Sequence, residues 1–148
     1  MKPSTLALSV AVLSFACAST PRVGSTGYQP RERNGDGYGY ANSQLDQRTF
    51  QIYFAAVSEI DAREGAMIRA AEVTAQMGFD GFVIAANDEH AETKVRSRFV
   101  VGRVRRQMPT VQMTIVCFRR QDFAVAGAFV HDARGILQQH PELFAARQ

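Results

Sequence analysis

Residues 48–56, RTFQIYFAA, decide the fold of this chain. Phe50, Ile52 and Phe54 alternate with Thr49, Gln51 and Tyr53, the period of two expected of a strand with one buried face. Such a strand needs a second layer, and the next segment provides one. Ser58 and Asp61 are rival helix caps, Asp61 with Glu64 at capping-box spacing, and an Ala-rich run continues to Met77. Met67, Ala70, Ala71, Thr74 and Met77 share one helical face, with Arg69, Glu72 and Gln76 opposite. Gly78 stands where a left-handed residue ends a helix.

Beyond the helix, Phe82 to Ala86 reads as a second strand entered through Asp80-Gly81, and the acidic stretch NDEHAE (87–92) as a connection. Lys94 to Arg106 reads as a basic third strand, broken at Met108-Pro109. Thr110 to Phe118 is a fourth strand with Val111, Met113, Ile115 and Cys117 on one face. From about His131 a second helix follows, kinked or restarted at Pro141. Strand, helix, three strands, helix predicts a two-layer α+β domain over residues 44–148, its helices packed on one small mixed or antiparallel sheet. If the first two strands are parallel neighbours, the helical crossover between them is right-handed.

Working back toward the start, residues 5–20 are TLALSVAVLSFACAST, preceded by Lys2. The apolar run is shorter than the roughly 20 residues a membrane-spanning helix needs. Its positive flank and small-residue exit, Ala16-Cys17-Ala18, are those of an export signal over residues 1–18. Cleavage before a lipid-modified Cys17 and cleavage after Ala18 both remain open on local residues, since Ser14 and Phe15 depart from the usual pattern ahead of a lipidated cysteine. Residues 19–43 are rich in Gly, Pro, Ser and Asn without apolar period, and read as a flexible Gly/Tyr-rich tether. Tyr28, Tyr38 and Tyr40 either tack that tether onto its own domain or form an aromatic binding strip.

The chain has 148 residues, 46% of them hydrophobic, enough for one domain with a real core. Its formal net charge of +3, which falls to +2 without Lys2, is too small to imply a nucleic-acid partner. Either cleavage leaves Cys117 without an intramolecular thiol partner, so packing alone holds the domain, and Cys117 reads as a buried, inert thiol.

Candidate chemistry is sparse. Asp88, Glu89, His90 and Glu92 are metal-ligand types without a recognised spacing, and read as a solvated loop; no metal is expected. No Gly-x-Ser-x-Gly elbow is present, and only the fold could bring His131 or His140 to Cys117. Glu64, Arg69 and Glu72 read as surface ion-pairing groups on the helix. No phosphate-cradling glycine loop occurs, and no cofactor is expected. The remaining candidate is basic: Lys94, Arg96 and Arg98 alternate on one strand face, Arg103, Arg105 and Arg106 extend the charge, and Arg119 and Arg120 join if strand four lies beside strand three. Such a patch fits anionic lipid headgroups, lipopolysaccharide phosphates or an acidic envelope protein. The plainer reading is a solvated strand face that discourages edge-to-edge pairing.

Several of these segments, in this order, resemble a family of short proteobacterial lipoproteins of unknown function. The matching elements are Thr26-Gly27-Tyr28-Gln29-Pro30, Gly37-Tyr38-Gly39-Tyr40, a strand ending at Phe54, the helical Arg69-Ala70-Ala71-Glu72, then Gly78, Asp80 and Phe82, and finally His131-Asp132-Ala133-Arg134. Ala55-Ala56 stands where the family often has Gly-Asn, and His131 replaces a tyrosine. The resemblance implies lipidation at Cys17 and brings no established activity. The leading expectation is a lipid-anchored, non-enzymatic binding or scaffolding module. Ala18 follows the cysteine where an aspartate would commonly retain a lipoprotein in the inner membrane, and this resemblance to a sorting pattern favours the periplasmic face of the outer membrane. The alternatives are an envelope enzyme whose site is assembled only in the fold, and a soluble periplasmic protein released by cleavage after Ala18.

Overall fold

The computed structural model describes residues 28–33, 37–98, 102–126 and 129–141. A 3-10 turn (Arg31–Arg33) precedes β1 (Gly39–Gln44), β2 (Thr49–Ala55), α1 (Glu59–Gln76), β3 (Gly81–Arg98) and β4 (Gly102–Phe118). A second 3-10 turn (Arg120–Asp122), β5 (His131–Asp132) and α2 (Ala133–Gln138) complete the described chain. The strands form one open sheet in the order β1-β2-β4-β3-β5, every neighbour antiparallel. The α+β class is as the sequence predicts, and the sheet is antiparallel rather than mixed.

The core forms where two alternating strands meet a helix of small residues. Phe50, Ile52 and Phe54 of β2 lie opposite Ile115, Met113 and Val111 of β4, and Phe82 of β3 lies opposite Cys117. Opposed residues share a sheet face, so these side chains make one apolar surface, which α1 covers with Ala62, Ala66, Ala70 and Ala71. Gly65 marks the closest approach: a Cβ there would meet the Phe54 ring at 2.4 Å. Ile136 and Leu137 of α2 pack at the margin of the same core.

The helix ends follow local chemistry. Ser58, not Asp61, is the cap: its hydroxyl accepts from the Asp61 amide at 3.1 Å and donates to the Asp61 carboxylate at 2.8 Å. At the other end Phe79 N–H bonds Thr74 C=O and Gly78 N–H bonds Ala75 C=O, a Schellman closure with Gly78 at φ +78°.

Four expectations need correction. The predicted third strand is the two facing halves of a hairpin, because β3 continues through NDEHAE to Arg98 and β4 starts at Gly102 and runs on through Met108-Pro109. A bulge between Ile84 and Ala86 permits this, since the extra residue shifts the phase of everything after it. The parallel strands β2 and β3 are not neighbours; β4 lies between them. The predicted tether is folded in part, with β1 crossing the expected boundary at 43/44 and Tyr38 and Tyr40 buried. Glu72 belongs to the buried surface of α1, whereas Met77 is exposed. The region beyond Pro141, where a restarted helix is predicted, lies outside the described residues.

Gly65→Ala tests the helix–sheet contact. On propensity alone the change would stabilise an α-helix by about 1 kcal/mol. Phe54 is buried and cannot yield, so we expect a net loss of about 1–3 kcal/mol in urea denaturation. The exposed Gln76→Ala change should stay within about 0.5 kcal/mol.

Candidate functional site

The feature that stands out from this compact body is the far half of the β3–β4 hairpin. β2 covers β4 only from Thr110 to Val116, and β5 covers β3 only at Gly81 and Phe82. From Glu92↔Met108 to Arg98↔Gly102, seven register pairs, the two strands pair with no third strand among the described residues. At about 3.4 Å per residue this overhang is about 24 Å long.

All six basic residues singled out from the sequence lie on it. Lys94 is opposite Arg106, Arg96 opposite Val104, and Arg98 opposite Gly102; Arg105 is opposite Val95 and Arg103 opposite Ser97. The register therefore gives Lys94, Arg96, Arg98 and Arg106 positions on one face of the ribbon and Arg103 and Arg105 positions on the other. Their side chains are outside the described residues. Arg119 and Arg120 do not join them, because they follow the opposite end of β4. The Arg120 amide donates to Asp80 at 2.9 Å, and its guanidinium lies 3.9 Å from Asp132.

At the base of the ribbon the acidic residues are answered by arginines of the body. Arg63 of α1 holds Glu89 at 2.6 Å, and this bond keeps the Glu89 carboxyl below its ordinary range. The pair borders a cleft of about 270 Å³ also lined by Glu59, Pro109 and Thr110. On the opposite sheet face Arg31 meets Glu92 at 2.9 Å and lies 4.4 Å over the Tyr53 ring. Burial, aided by Glu92, pushes the Tyr53 hydroxyl up to about 12. His90 lies 3.5 Å from Asp88 and 3.9 Å from Glu92. Among the described residues no group of three or more His, Cys, Asp or Glu side chains could hold a metal ion.

A second polar cluster is buried, where the sequence predicts surface ion pairing. Tyr28 donates to Glu72 at 2.8 Å, and Arg69 donates to the same carboxylate oxygen and to Asn42 of β1. The Arg69 guanidinium lies 4.1 Å over the Tyr40 ring, and Tyr28 packs against Tyr40 and Phe54. Glu72 and Arg69 have side chains only 6% and 11% exposed, so this is not the surface pair the helix periodicity suggests. The sequence signal was the set of motifs behind the lipoprotein resemblance, whose Tyr28, Tyr40, Arg69 and Glu72 converge here. Of the two readings of the tyrosines, tacking onto the domain is the one observed.

Cys117 is fully buried, 3.4 Å from the Thr74 hydroxyl, and burial pushes its thiol up. His131 does not reach it: the imidazole stacks on Phe82, itself the strand partner of Cys117. Cys17 and the export segment lie outside the described residues. Among those residues no helix is long and apolar enough to cross a membrane. Comparison with protein-family models, curated proteins and solved structures gave no match.

The buried cluster carries a pH prediction. Burial and the neighbouring Glu72 raise Tyr28 well above its ordinary value. The folded state therefore holds a proton that the unfolded chain releases near pH 10. Stability from this group is fully present below about pH 10 and declines as pH rises beyond it. Tyr28→Phe should cost about 1–2 kcal/mol at pH 7 and flatten the alkaline decline, as read by urea denaturation at pH 7, 9 and 11.

Proposed function

We propose that this protein is a lipid-anchored, non-enzymatic envelope module at the periplasmic face of the outer membrane, whose basic β-ribbon engages an anionic surface. The observation that carries this reading is the ribbon itself. Residues 93–107 contain Lys94, Arg96, Arg98, Arg103, Arg105 and Arg106 and no acid, and they occupy the part of the hairpin that extends beyond the sheet. Phosphates of lipid headgroups or of lipopolysaccharide match such a set, each basic residue near the surface contributing about 1 kcal/mol. The anchor fits the same geometry. Eleven residue steps separate Cys17 from Tyr28, a reach of at most about 40 Å, so the ribbon and the lipid can meet one bilayer.

Two measurements test the reading. Intact mass of the mature protein should show Cys17 carrying more than one acyl chain, because a single chain binds membranes only marginally; an unmodified N-terminus at Ser19 would remove the anchor. Replacing Arg103, Arg105 and Arg106 with Gln should leave stability within about 0.5 kcal/mol and weaken binding to anionic vesicles at low salt. Salt should weaken wild-type binding too, as the Debye length shrinks from about 10 Å at 0.1 M to 3 Å at 1 M. A wild-type chain that ignores anionic vesicles at low salt sinks the surface-binding half of the proposal.

A further inference from the structure

We infer that the outer edge of β3 pairs with the same edge of a second copy of this chain, antiparallel, about a two-fold axis at Thr93. The sheet treats its two edges differently. On the β1 side, Pro30 bridges Tyr40, and the Tyr40 amide donates to Gln29 C=O at 3.0 Å, so the chain's own N-terminal segment meets the start of that edge. On the other side β5 pairs only with Gly81 and Phe82. From Val83 to Arg98 no strand of the described chain lies along the outer edge of β3. Such an edge is a row of N–H and C=O groups suited to pairing with another strand. A two-stranded ribbon is also marginal alone and gains from further strands.

The charge order along β3 selects the occupant. Charge of any arrangement discourages indiscriminate edge pairing, but here the signs are segregated: Asp88, Glu89 and Glu92 precede Lys94, Arg96 and Arg98. An antiparallel partner with the same sequence sets acid against base. Centred on Thr93, the register opposes Glu92 to Lys94 and Asp88 to Arg98 of the second copy, each twice by symmetry. Opposite-charge pairs of this kind favour a register, and like charges oppose it. Centring on Glu92 or Lys94 sets that charge against itself, and centring on Val95 sets Lys94 against Arg96. Centring on Ala91 leaves Arg96 and Arg98 facing Ala86 and Ile84 at the bulge. Glu92 keeps its Arg31 contact, since a carboxylate accepts from two donors at once. The seam uses β3 alone and leaves Arg103, Arg105 and Arg106 of β4 to the proposed anionic surface, so the two readings fail separately.

Cysteine scanning of the full chain in its own envelope tests the axis. At Thr93, which is exposed, the two copies of one residue face each other at about 4.5–5.5 Å between Cα atoms, within disulfide range. Ala91→Cys and Val95→Cys place like thiols about 13 Å apart in the same dimer, beyond that range. On non-reducing gels after mild oxidation, Thr93→Cys should give a cross-linked dimer absent from wild type, Ala91→Cys and Val95→Cys little, and a mixture of those two a dimer again. Adding Asp88→Arg should lower the Thr93→Cys yield, and adding Arg98→Asp as well should restore it. A well-expressed Thr93→Cys chain that stays monomeric, equal yields at 91 and 93, or no rescue by the double reversal would each overturn the inference.

Discussion

β4 is the strand to which the others must conform. It bonds β2 on one side and β3 on the other, and from Val111 onward its residues alternate, with Val111, Met113, Ile115 and Cys117 buried in the core. A one-residue slip on either side would turn a neighbour inside out. β2 meets β4 in phase. β3 begins in phase through Phe82 and Ile84, but its polar continuation would then turn Asp88 and His90 toward α1. The bulge before Ala86 changes which polar residues take that face, placing Asn87 opposite Met113 and Glu89 opposite Val111. Glu89 then faces Arg63 on the first turns of α1, where a negative charge also complements the helix dipole.

The same conflict explains what could be read from the sequence. β2, the inner half of β4 and the body of α1 declare themselves because each keeps one period, with apolar residues on the buried side. β3 does not, because the bulge breaks its alternation in the middle and the residues after it are polar on both faces. With no apolar alternation after the bulge, NDEHAE looks like a loop while forming a ladder. β1 was hidden for another reason. The glycines at and before its start suggest a linker, yet Gly39, at φ +112°, sits where a Cβ would run into Gln29 C=O. Glycine there serves close packing rather than freedom.

The candidate sites divide along the same line. Spacing along β3 and β4 is enough to find the six basic residues, because charge is visible without a fold. It is not enough to place them, because the phase of a hairpin depends on where it reverses; the register divides one apparent stripe into four positions and two. The Arg69–Glu72 cluster is the converse case. Three residues apart on a helix, an Arg and a Glu usually make an exposed pair worth little. Burial of this pair is decided by Asn42, Tyr40 and Tyr28, which arrive from segments with no periodic signal.

Burying that pair is not by itself a route to stability, since desolvation offsets much of the attraction between the charges. What it provides here is selectivity of arrangement. Each polar atom of the cluster finds its partner only if segment 28–30 lies beside β1 and β1 lies beside β2; a displaced strand would leave Arg69 and Glu72 buried and poorly matched, which costs several kcal/mol. The bridged start of the β1 edge is thus held by demands from inside the described chain. On the far side of the sheet the described chain makes no comparable demand: past Phe82, β4 is the only described strand that pairs with β3. The described chain therefore meets the start of one edge with its own N-terminal segment and leaves the other with a sign-ordered row of charges, where pairing depends on what approaches from outside.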